Sequence, residues 1–104
     1  MYKKLDEYLS GYFKDDYWYD EGVIIAQEML NKFTKNDWVN LIAELKMKPL
    51  QWQIKYAYIA DAGINDKSIA KSLFLLMEND NEELNEVCKD SLRCITSKHN
   101  FENN

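Results

Sequence analysis

Residues 69–95 read IAKSLFLLMENDNEELNEVCKDSLRCI. Ile69, Leu73, Leu76 and Met77 recur at three- and four-residue steps, the spacing that lines up side chains on one face of an α-helix. Asn79-Asp80-Asn81 then interrupts the pattern with residues that favour turns and helix starts. Leu84, Val87, Cys88, Ser91, Leu92 and Ile95 resume it, with Glu82 and Glu83 in the first turn, where the helix dipole favours negative charge. Two amphipathic helices across so short a link must fold back on one another, so this stretch predicts an αα-hairpin.

The same period runs outward from this hairpin. Pro49 suits the first position of a preceding helix, where its missing N–H is not needed. That helix carries Leu50, Trp52, Ile54, Tyr56, Ala57 and Ile59 on a wide apolar arc, which predicts a central position. Gly63 is expected to stop it, and Asn65 or Asp66 to cap the next. Upstream, Trp38, Leu41, Ile42 and Leu45 mark a helix capped from within Thr34 to Asn36. Val23, Ala26, Leu30 and Phe33 mark another, expected to start near Asp20. Leu5, Tyr8, Leu9, Tyr12 and Phe13 mark the first, with Gly11 loosening or ending it. Lys14 to Asp20 is charged, aromatic and aperiodic, and reads as a loop.

The expectation is one all-α domain over residues 1–104: five to six antiparallel helices in a compact bundle with HEAT-like helix pairs, and a frayed tail over about 99–104. The pairs are the hairpin above and the helices of Trp38 and Trp52. A short solenoid is the alternative arrangement. Three glycines and one proline suit helices better than turn-rich β folds.

The net charge of −5, with basic residues scattered, lacks the basic face a nucleic-acid binder uses to displace counterions. No stretch approaches the ~20 apolar residues of a membrane span or forms a leader, so a cytoplasmic protein is expected. Cys88 and Cys94, on one helix, would lie about 9 Å apart, beyond disulfide reach, and read as free thiols. With one histidine, His99, no metal-ligand spacing arises, and no phosphate loop or nucleophile motif is present. No cofactor and no catalysis are expected.

Two features carry the functional reading. Asp15, Asp16, Tyr17, Trp18 and Tyr19 alternate carboxylates with the aromatic residues most enriched in binding hot spots. Glu78, Asp80, Glu82, Glu83 and Glu86 form an acidic series across the hairpin turn. Either one fits a basic partner. Paired alanines at Asp16 and Trp18 are expected to weaken binding without unfolding the chain.

The stretch Leu9 to Trp18, LSGYFKDDYW, resembles the Tyr-Phe-x-x-Asp-Trp opening of small immunity proteins of bacterial contact-dependent growth inhibition systems. Lys48 to Gln53 and the helix from Glu82 to Ile95 are similar in flavour to helical immunity proteins of polymorphic toxin systems. In that pattern Trp directly follows Asp, whereas here Tyr17 stands between Asp16 and Trp18. The resemblance implies a cytosolic protein that binds the C-terminal domain of a cognate toxin, a basic nuclease, and covers its active or substrate-binding surface. A helical adaptor for an endogenous partner is the alternative.

Overall fold

The computed structural model describes residues 1–62 and 66–102, leaving aside the side chains at 62, 66 and 97–102. In chain order the helices are α1 (Tyr2–Leu9), α2 (Asp15–Tyr17), α3 (Val23–Asn31), α4 (Lys35–Glu44), α5 (Leu50–Ile59), α6 (Asp66–Leu76) and α7 (Glu82–Glu102). A π-helical turn, Trp18–Gly22, joins α2 to α3 without leaving helical dihedrals. Counting that run once gives six helices, and no strand occurs among the described residues. The fold is all-α.

The segment read as a loop is therefore mostly helical. The second helical run starts at Asp15, with extended Lys14 before it, and not at Asp20. Trp18 explains the misreading. A π turn widens the spacing beyond 3.6 residues, so an apolar pattern sought at the α period fails there. The indole lies against Gly22, and a Cβ at that position would sit 2.7 Å from Trp18 Cε3. At the end of α1 the apolar period of the sequence runs on past the helix: Tyr12 is 91% exposed, because the helix stops at Leu9.

Helix α5 is central. Trp52, Tyr56, Ala57 and Ile59 are buried on it, and it packs chiefly against α7, with α3 and α1 alongside. Helix α6 packs on α7, as the hairpin reading requires. The expected second pair is arranged differently: α4 rests on α1 and on the 3₁₀ turn Leu45–Met47, so α4 and α5 are not each other's main neighbours. The radius of gyration, 13.0 Å, is that of a close-packed chain of this length.

Several polar side chains inside the bundle are hydrogen-bonded. Ser72 Oγ donates to Ile69 O at 2.6 Å, which uses its one proton, so the Tyr56 hydroxyl donates to Ser72 Oγ, also at 2.6 Å. Ser91 Oγ donates to Ala57 O at 2.6 Å, tying α7 to α5. Gln53 Nε2 reaches Leu45 O at 2.9 Å. Thr34 caps α4 in a reciprocal box with Asp37, whose carboxylate also accepts from the backbone N–H of Tyr2 at 3.1 Å. In the same corner Lys48 pairs with Asp6 at 2.8 Å and Glu44 at 3.5 Å, while the Tyr2 hydroxyl donates to Glu44 at 2.7 Å. Burial lowers the Lys48 pKa, and the hydrogen bonds to Asp6 and the Tyr2 side chain outweigh it and hold the ammonium above its usual range.

Asn81 caps α7 by accepting from Leu84 N at 2.9 Å. Cys88 is buried and Cys94 exposed, both as free thiols. The expected stop at Gly63 and cap at Asn65 lie outside the described residues. So does the Asp66 side chain as a cap. The backbone of α7 continues to Glu102, through much of the stretch expected to fray.

Candidate functional site

The site starts from the end of α1. Helix C-termini leave carbonyls without intrahelical partners. Here Lys55, from the next face over on α5, donates from Nζ to Leu9 O at 3.1 Å and Gly11 O at 2.9 Å. A cation suits that end of the dipole. The same Nζ lies 4.9 Å from the Phe13 ring centroid and 5.9 Å from that of Trp18. Burial draws its pKa down, and no ion pair involves it among the described residues.

Lys55 thus fixes the segment Ser10 to Phe13 beside α5 and leaves a cleft of about 770 Å³ between them. One wall is the outer face of α5, where Gln51, Ile54, Lys55 and Tyr58 follow helical spacing. The other is Tyr12, Phe13, Asp15, Trp18 and Tyr19. Glu83, in the first turn of α7, closes the remaining side. Tyr19 and Tyr58 meet edge to face across it, 5.4 Å between centroids, and both are exposed. Trp52 backs the cleft; its Nε1 is buried without a hydrogen-bond partner.

The structure therefore joins part of each expected face at one place. Asp15, Trp18 and Tyr19 from the first series and Glu83 from the second line the same cleft. Asp16 and Tyr17 are exposed beside it; Tyr17 stacks on Phe13 at 5.8 Å and 3°. Tyr17, which directly follows Asp16, is the exposed member of the pair. Trp18 is 7% exposed and belongs to the core, so its role at the site is to support the wall. Glu78 is engaged with Lys46 at 2.7 Å, away from the cleft. Asp80, Glu82 and Glu86 are exposed and do not line it.

The sequence reading missed Lys55 and Tyr58. Their one signal was a polar pair, three residues apart, within the arc of α5 that otherwise reads as apolar. Asp15 and Glu83 have no ion-pair partner among the described residues. Among the described residues no three His, Cys, Asp or Glu side chains are grouped to hold a metal, and no helix is long and apolar enough to cross a membrane. Chemically, the arrangement is an aromatic slot with two exposed, unpaired carboxylates in its lining. It offers stacking surface and negative charge to a ligand.

Comparison of the chain with protein-family models, with curated proteins and with solved structures finds no match.

Proposed function

We propose that this chain is a toxin-neutralising immunity protein, which uses the cleft face to grip a basic surface of its cognate toxin domain in the cytosol. The toxin is a nuclease in this reading, because a nuclease is basic where it holds nucleic acid, and an acidic binder can occupy that surface. The observation that carries the proposal is the convergence of exposed Tyr12, Tyr19 and Tyr58 with unpaired Asp15 and Glu83 around one cleft. Exposed tyrosines offer large contact area at small conformational cost, and they are enriched where binding energy concentrates. The identity of the partner rests on the resemblance of residues 9–18 to immunity proteins of contact-dependent inhibition systems.

Co-expression tests it. The C-terminal polypeptide encoded by the adjacent upstream gene is induced with and without this chain. Toxicity that the chain abolishes, with a co-purifying complex, is the expected result. A harmless neighbour, or toxicity left intact, removes the immunity reading and leaves a helical adaptor for an endogenous protein. In the positive case, Tyr19→Ala combined with Tyr58→Ala is expected to weaken the complex by about 2 kcal/mol or more.

A further inference from the structure

We infer that the cleft receives an arginine side chain of the partner protein, its guanidinium stacked on the Tyr19–Tyr58 pair and held by Asp15 and Glu83. The inference rests on the cleft being the partner-binding face, and adds the chemistry of what enters it. Guanidinium is planar, stays charged, and combines stacking on aromatic faces with forked hydrogen bonds to carboxylate. The cleft offers both complements side by side. Tyr19 is 57% exposed, so ring surface remains open although the ring meets Tyr58. Asp15 and Glu83 carry no ion pair that an incoming cation would have to displace. Elsewhere Asp6, Glu44, Glu78 and Asp90 are already neutralised by Lys48, Lys46 or Arg93.

The charge already in the cleft sets the depth of entry. Lys55, half-buried, is committed to the carbonyls of Leu9 and Gly11 and repels a second cation beside it. The two exposed carboxylates outnumber that one ammonium, so the guanidinium settles by the exposed tyrosines and not beside Lys55. A volume of about 770 Å³ holds one long side chain together with its flanking backbone. Lysine fits less well, since its ammonium has no plane to stack and is more strongly hydrated.

The full chain is titrated with the blocked tripeptide acetyl-Gly-Arg-Gly-amide, and with its citrulline and lysine counterparts, by NMR. Saturable shifts at the Tyr19 and Tyr58 rings with the arginine peptide are expected. The citrulline peptide, same shape without charge, should give none, and the lysine peptide weaker ones. The combined Asp15→Asn and Glu83→Gln substitutions, both on exposed side chains, should weaken arginine binding about fivefold or more. Equal response to citrulline or lysine, shifts confined to other faces, or undiminished binding by the double variant overturns the inference. The toxin reading fails separately: absent rescue by a chain that still binds the arginine peptide removes the toxin and keeps the arginine site. Rescue without any arginine response removes the arginine site and keeps the toxin.

Discussion

Gly22 and Trp18 make the residue scale decisive. In an ordinary helix Gly→Ala stabilises by about 0.5–1 kcal/mol, because alanine loses less backbone freedom on folding. At Gly22 the new methyl meets Trp18 Cε3 at 2.7 Å, inside contact distance, and the buried indole has little room to retreat. Gly22→Ala should therefore destabilise by about 1–3 kcal/mol, the usual range for overpacking. Urea unfolding gives the sign directly, and a stabilised variant would mean that the indole does not rest on Gly22. Trp18→Ala should lose about 3–5 kcal/mol. That corrects the expectation that Asp16 and Trp18 could be truncated together without unfolding the chain: the loss belongs to the core, and only Asp16 can be tested as a surface contact. The company of Asp15 and Asp16 made Tyr17, Trp18 and Tyr19 look alike as contact residues. Which of them is buried depends on where α1 ends and where the π turn falls, and neither is a property of the local sequence.

At the scale of elements, the start of α4 falls within the stretch expected to cap it, Thr34 to Asn36. Thr34 followed by Asp37 is a reciprocal cap, and the bonds it implies form: Asp37 N to Thr34 Oγ1 at 3.3 Å and Thr34 N to Asp37 Oδ2 at 2.8 Å. The Thr34 backbone bond is the largest influence on the Asp37 carboxyl, and, with Tyr2 N and the amino terminus, it outweighs burial and lowers the pKa to about 2. A depressed carboxyl contributes stability above its unfolded pKa, about 3.9, and loses it as pH falls towards 2. Asp37→Ala should cost about 1–2 kcal/mol at pH 7, and the difference from the parent should shrink between about pH 4 and 2. Chemical denaturation at the two ends of that range checks it; a difference that is constant with pH would show that the carboxylate charge is not involved. Between elements, Tyr56→Phe removes the donor to Ser72 but leaves Ser72 bonded to Ile69 O, so a loss of about 1 kcal/mol is expected in the same assay.

For the whole molecule, the distribution of charge matters more than the sum of −5. Some of the carboxylates are spent on ion pairs within the bundle, and the two lining the cleft are not. Asp15→Asn with Glu83→Gln should cost no more than about 1–2 kcal/mol of unfolding free energy, the loss of two exposed charges in helix first turns. The same pair should slow association with a basic partner and flatten its dependence on salt, because charges at an interface act mainly on encounter. Stopped-flow association at two ionic strengths reads both effects. An unchanged on-rate would place the interface elsewhere.

The sequence by itself determined the helices of the second half, a cap for α4 within Thr34 to Asn36, a turn at 79–81, the central place of α5 and the packing of α6 on α7. These follow from periodicity, from side chains that bond the nearest backbone, and from apolar area, all of which act within a few residues. Only the tertiary structure decided that α5 takes α7 and not α4 as its main neighbour, since several pairings bury similar area. Only it could bring Glu83 to the cleft that Asp15 also lines, across 68 residues of chain, by stacking α7 on α5. The cleft has no local signature for the same reason: Lys55 creates it by reaching the carbonyls at the end of α1, and a lysine's reach becomes meaningful only once the helix opposite is in place.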